Sequence, residues 1–202
     1  MRNAKAVFLS IIEQTKISAG LYDYLDSNRI PIDASDLLRW QWVLAVSALD
    51  RYIHDIVRIG MIQEFMGKRS QTDRYQRFQI DLKRLEQIRQ SATPEIEFEK
   101  AVIQQNSFRA FQHPDKIAEA LSFIWPENHK WDVISQNMRL AITPKDLTTK
   151  LNNIVVRRDQ IVHEGDCFAS VLPFQQQAIS QSDVQDVISF ITDLVNAIEL
   201  SI

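Results

Sequence analysis

Apolar residues recur at helical spacing through most of the chain, and no stretch longer than a few residues alternates as a strand would. Val7, Ile11, Ile12, Leu21, Tyr24 and Leu25 predict a first helix over Ala4 to Leu25, with Ser18-Ala19-Gly20 as a loosening point and Asp26-Ser27-Asn28 and Pro31 as its end. Asp33 to Ser35 look like a cap, and a long helix follows to about Phe65. Leu37, Leu38, Trp40, Val43, Leu44, Val46, Ala48, Leu49, Ile53, Ile56, Val57 and Met61 cover much of its circumference, as expected of a helix central to a bundle. Lys68 to Gln90 reads as a helix that turns Phe78, Leu82 and Leu85 inward. Shorter helices are predicted from Glu95 to about Gln105, capped by Thr93, from Asp115 to Trp125, and from Trp131 to Leu140, with a loop from Ser107 to Pro114.

Thr143-Pro144-Lys145-Asp146 is the clearest helix start. Thr143 can cap, Pro144 suits the first helical position, and Asp146 completes a capping box. This helix runs to about His163, with Ile154, Val155, Ile161 and Val162 on its buried side and Gly165 as terminator. A loop containing Pro173 spans Asp166 to Gln177. Ser182-Asp183 opens a last helix with Val184, Val187, Ile188, Ile191, Leu194, Val195 and Ile198 as its buried stripe. The expected fold is therefore all-α: antiparallel long helices plus short ones, in a single domain over residues 1–202, with a short-helix region inserted at about 91–142.

Composition narrows the class. Apolar residues make up 45% and charged residues 24% of the 202, ordinary for a globular protein, and 4 Gly with 6 Pro leave few turns, which favours long helices. A net charge of -3 argues against a protein that coats nucleic acid broadly, though not against a local basic pocket. Cys167, the single cysteine, excludes intramolecular disulfides and cysteine-rich zinc sites and points to a reducing, cytoplasmic setting. No stretch approaches a membrane span, so no membrane partner is expected. His113 and His129 lack partners at metal-ligand spacing; no metal or cofactor is expected.

Chemistry concentrates in Leu151 to Asp166, which reads L-N-N-I-V-V-R-R-D-Q-I-V-H-E-G-D. A histidine near its usual pKa can move protons at neutral pH, and a guanidinium can grip a phosphate in two places. Together they suffice to cleave RNA, which carries its own nucleophile, the 2′-hydroxyl. An arginine and a histidine at one fixed spacing arise by chance about 0.3 times in a chain with this many of each, so the surrounding residues matter.

Those surroundings, R-R-D-Q-I-V-H-E-G-D, resemble the signature of the HEPN superfamily, most closely its RiboL-PSP-type branch. The close match covers about ten residues; a looser one, in helix order and length, covers most of the chain. The resemblance implies a metal-independent endoribonuclease, a toxin or defence effector acting as a homodimer whose R-x-x-x-x-H motifs meet at the interface. It assigns Arg158 and His163 as the catalytic pair and Asp159 as the polar residue beside the arginine, and it implies an antitoxin or regulatory protein as a further partner. Some toxins of the family carry a modifiable tyrosine two residues after the histidine; here Gly165 stands there.

The geometry of a helix supports a dimer independently. Five residues turn a helix by about 500°, a net 140°, and rise about 7.5 Å, so one straight helix presents Arg158 and His163 poorly to a single phosphate. A two-fold pair of chains can gather both copies of each. Asp159, four before His163, can orient the imidazole, while Arg157 and Glu164 can add field or interface contacts. Asp50 and His54, four apart on the second helix, are either a second polar cluster near the cleft or a solvent-side pair. The family often has an acidic residue here, which favours Asp50. The run Lys68 to Gln90 carries seven basic and three acidic residues with Tyr75 and Phe78 interleaved. Arg74, Arg77, Lys83 and Arg84 are thus candidate RNA contacts, the alternative being a solvated helix face. Trp125 and Trp131 are either a base-stacking wall or core.

Two other function classes stay open. A catalytically inactive HEPN-like module that binds nucleotide or protein would have the same fold. A metalloenzyme would need a ligand set that the chain does not display.

Overall fold

The computed structural model describes residues 2–167 and 175–202. Among them the chain forms helices α1 (Arg2–Ser27), α2 (Ser35–Phe65), α3 (Asp73–Gln76), α4 (Leu82–Gln90), α5 (Pro94–Asn106), α6 (Pro114–Leu121), α7 (Lys130–Gln136), α8 (Pro144–Glu164) and α9 (Gln181–Ser201). Cys167 and Gln176 form one isolated antiparallel bridge. Most of the expected loop from Asp166 to Gln177, including Pro173, lies outside the described residues.

The long helices α1, α2, α8 and α9 run alternately up and down. α1 and α2 form a hairpin. Arg39 near the start of α2 meets Asp166 just past the end of α8, and Arg157 of α8 donates to the carbonyl of Ala178 before α9. Lys5 pairs with Glu199 at 2.6 Å, and Gln181 donates to Asp23 at 2.7 Å, which fixes α1 antiparallel to α9. Helices α3 to α7 lie in sequence between the second and third long helices, and α5 and α6 pack on α2.

α2 is central, as its apolar circumference demands. Leu38, Ala45, Val46, Leu49, Tyr52, Ile53, Ile56, Val57 and Met61 are fully buried on it, each large one contributing on the order of 1.5–3 kcal/mol. The core is continuous: Phe98, Phe111, Ile117, Leu121 and Ile134 from the short-helix region join Leu147, Leu151, Val184 and Ile191 from α8 and α9. Trp125 and Trp131 pack partly buried against it. Gly60 lets α2 approach the turn after α6: a Cβ there would meet Ile124 Cγ2 at 2.5 Å.

Some expectations are corrected. α1 runs unbroken through Ser18-Ala19-Gly20, where the Ser18 hydroxyl donates to the Thr15 carbonyl and the helix hydrogen bonds continue. Lys68 to Gln90 is two helices, not one. Thr72 caps α3 through its hydroxyl and Asp81 caps α4. The break leaves Leu82 78% exposed instead of inward, because Phe78 and Tyr75 take the inner positions, packing edge-on against Phe98. Thr93 makes no side-chain cap to α5. α9 starts up to two residues early, because Ser180 and Asp183 form a full capping box in which the Ser180 cap also holds the Asp183 carboxyl below the usual carboxylate range.

Candidate active site on the motif helix

The start of α8 is as its sequence dictates: the Thr143 hydroxyl accepts from the Asp146 N–H, and Pro144 occupies the first turn. Leu147, Leu151, Ile154 and Val155 bury the inner face, and Trp42 Nε1 donates to the Ile154 carbonyl at 3.0 Å, pinning α8 to α2. The helix stays regular through Glu164 and ends at Gly165 in the left-handed conformation (φ 66°, ψ 24°). Arg158 and His163 therefore keep the separation of about 140° around the axis that a straight helix imposes.

The two adjacent arginines have different surroundings. Arg157 lies 5.0 Å over the Trp42 ring and donates through Nη2 to the Ala178 carbonyl at 2.8 Å and to Asp166 Oδ2 at 3.3 Å. Asp166 is wholly buried, with a positive φ of 58°. Its Oδ2 also accepts from Arg39 Nε at 2.9 Å, and Arg39 reaches on to the Gln177 carbonyl at 2.8 Å. This carboxylate between two guanidiniums closes the end of α8 onto α2 and residues 177–178. Asp166 and Arg39 carried no signal as a pair in sequence; 127 residues separate them. Cys167 beside them is buried, which pushes its thiol pKa up.

Arg158 turns the other way. Nη1 donates to Asp159 Oδ1 at 2.8 Å, while Nε is buried without a partner. Asn152, Val156, Asp159 and His163 stand at i, i+4, i+7 and i+11, one stripe along the outer side of α8. Asn152 and His163 are exposed and Val156 is 42% exposed. Glu164, next to His163, is exposed as well. Among the described residues no hydrogen bond or ion pair joins Asp159 to His163; the Asp159 carboxylate is held by Arg158 and faced by a different histidine.

That histidine is His113. From the extended residue before α6 it places Nε2 3.8 Å from Asp159 Oδ2 and Nδ1 3.3 Å from Asn152 Oδ1. His113 falls in the loop that the sequence predicts; its contacts with α8 lie 39 and 46 positions away in sequence, beyond any local pattern.

Asp50 and His54 stand 3.9 Å apart, each half-buried, and both reach the segment before α6. Asp50 Oδ1 accepts from the Phe111 N–H at 2.5 Å, and the His54 ring packs on Phe111 at 4.4 Å and contacts the Arg109 carbonyl at 3.1 Å. Both hold the segment that carries His113. The basic stretch lies elsewhere. Arg74 pairs with Glu119 at 2.7 Å and covers the Phe123 ring, and Arg84 bonds Gln87 and Gln104. Arg77 and Lys83 are exposed, and Tyr75, its pKa pushed up to about 12 by burial, faces the core. His129 is exposed, 3.8 Å from Asp132. No group of three or more His, Cys, Asp or Glu side chains able to hold a metal occurs among the described residues. No described helix is long and apolar enough to cross a membrane.

An up–down bundle of long helices, whose third long helix ends in an Arg-Arg-Asp and a histidine, defines an all-α HEPN domain. The chain belongs to the RiboL-PSP-HEPN family, whose model matches residues 10–202. No curated protein and no solved structure matches the chain. Membership points to nuclease or other RNA-related chemistry.

Proposed function

We propose that the protein is a metal-independent HEPN endoribonuclease, acting in the cytoplasm as a toxin or defence effector under the control of an antitoxin or other regulatory protein. The observation that carries this reading is the division of labour between the arginines. Asp166 holds Arg157 in the scaffold, which leaves Arg158, paired only with its neighbour Asp159, as the motif guanidinium not tied into the closing ion pair.

The 2′-hydroxyl oxygen attacks the adjacent phosphorus while His163 of one subunit takes its proton. The bond from phosphorus to the 5′-oxygen breaks, and that oxygen takes a proton from His163 of the partner subunit. Arg158 neutralises charge growing on the phosphoryl oxygens, and Asp159 holds Arg158 in place. Glu164 lies beside His163 at the same exposed end. The products are a 2′,3′-cyclic phosphate and a 5′-hydroxyl. Because α8 does not unwind between Arg158 and His163, each phosphate needs both subunits; Val156, exposed in the stripe, suits the contact between them.

The test is cleavage of a mixed RNA pool by purified protein in excess EDTA, beside His163→Ala and Arg158→Ala. Cleavage by the wild type, cyclic-phosphate ends and loss of activity in both folded variants are expected. An inactive wild type, or variants that cut equally well, would leave the binding-module reading in its place.

A further inference from the structure

Side chains one residue apart leave a helix about 100° apart and do not face each other. The contact of Arg158 Nη1 with Asp159 Oδ1 at 2.8 Å therefore needs the carboxylate to be turned toward the arginine and kept there. Among the described residues Asp159 has no other hydrogen-bond or ion-pair partner on α8. What meets it comes from outside the helix: His113 Nε2 stands 3.8 Å from the second oxygen, Oδ2. Both side chains are partly open to solvent, so the pair adds little to the stability of the bundle. Its place beside the motif arginine gives it a different use.

His113 is delivered by a stiff segment. Phe111 is fully buried, its N–H donates to Asp50 Oδ1, the His54 ring packs on it, and Gln112 is buried too. Pro114 restricts the backbone just after His113, and α6, which it opens, packs on both α2 and α8. The imidazole then lies between two side chains of α8, with Nδ1 3.3 Å from Asn152 Oδ1, seven residues before Asp159. Held at both nitrogens, the ring has little freedom to turn, and through Oδ2 it restricts the carboxylate that carries Arg158. We infer that His113 is a positioning residue of the ribonuclease: it holds Asp159, and Asp159 holds the Arg158 guanidinium where charge grows on the phosphoryl oxygens. The inference rests on the ribonuclease reading. The 3.8 Å contact is long for a hydrogen bond, as catalytic contacts often are in a free enzyme, and it tightens when RNA binds. A displaced guanidinium stabilises the transition state less while the rest of the RNA still binds, so the loss falls on kcat rather than on KM.

The full-length protein is assayed in EDTA on an RNA that the wild type cuts from the mixed pool, and kcat and KM are measured separately. Wild type is compared with His113→Ala, His113→Asn, His113→Gln, Asp159→Asn and the double variant His113→Ala, Asp159→Asn, with Tm recorded for each. His113→Ala is expected to lower kcat by roughly ten- to a hundredfold, as a misplaced catalytic group does, with KM close to wild type. Glutamine brings its amide to about the place of Nε2 and restores most of the rate. Asparagine is shorter, reaches only the Asn152 side, and behaves as alanine does. The double variant loses no more than Asp159→Asn alone, because both changes break one chain of contacts. A merely structural role would add its loss to that of Asp159→Asn and would not separate glutamine from asparagine. The inference is overturned if His113→Ala keeps the wild-type kcat, if the two losses multiply, or if glutamine restores no more than asparagine; where His113→Ala melts lower, the glutamine and asparagine pair decides. Cleavage that needs Arg158 and His163 but not His113 would sink the inference alone. A wild type that cuts no RNA would sink the ribonuclease reading and the inference with it.

Discussion

Asp166 gives the sharpest test of what holds the motif helix in place. In Asp166→Asn the replacement keeps the side-chain shape, one oxygen acceptor and tolerance of the positive φ, so the change is largely the loss of charge. Arg39, 6% exposed, then keeps its bonds to Ser35 and the Gln177 carbonyl but has no buried counter-charge. Removing one member of a buried ion pair costs about 3–5 kcal/mol, and the conservative replacement places this case near the lower end, about 3 kcal/mol. For a domain of this size each kcal/mol moves Tm by about 2–4 °C, so a fall of about 6–12 °C is expected by circular dichroism or calorimetry. The double variant Arg39→Met, Asp166→Asn supplies the control. If the penalty is an orphaned arginine, the two losses are non-additive, the double variant losing at least about 1 kcal/mol less than the sum of the singles. A Tm within 2 °C of wild type for Asp166→Asn, or strictly additive losses, would refute the reasoning.

Three further outcomes are expected. Gly60→Ala, although it raises helix propensity, should lower stability by about 1–3 kcal/mol in denaturant titration, because the new methyl overlaps the Ile124 side chain; a gain would show that α2 can shift freely. Ser180→Ala should cost about 1 kcal/mol and expose the Asp183 carboxyl to ordinary titration, so that stability lost by the wild type as pH falls through the depressed Asp183 pKa is already missing in the variant at neutral pH. Glu64 carries the opposite sign. It is fully buried, one oxygen accepts only the Thr72 N–H, and burial raises its pKa, so the folded state holds the proton more tightly and stability declines as pH rises above the ordinary glutamate range. Glu64→Gln should flatten that decline; a variant whose stability tracks wild type from pH 4 to 8 would remove Glu64 as its source.

The long helices were legible because burial and local signals agree on them. α2 is apolar around its circumference and is the central helix. α8 opens on Thr143-Pro144 and closes on Gly165, and a cap at each end leaves little freedom. The stretch from Lys68 to Gln90 was not legible. Its charge pattern suits one helix, but two local caps, Thr72 and Asp81, win over it, and Tyr75 and Phe78 follow Phe98 into the core. Within the site, the motif residues could be named from the run itself. What separates Arg157 from Arg158 could not, since it depends on a left-handed Asp166 and on Arg39 more than a hundred positions away. His113 was hidden for the same reason: nothing near it in sequence says that it faces α8.

The end of α8 also limits how the protein can acquire new control. The position where some toxins of this family present a modifiable tyrosine is here the left-handed cap itself, with φ at 66°. A side chain at that residue would sit in a conformation costing roughly 1–2 kcal/mol and adjoin the buried Asp166. A tyrosine at residue 165 would therefore carry that backbone cost at the very residue that ends the helix, next to the carboxylate that closes it onto α2.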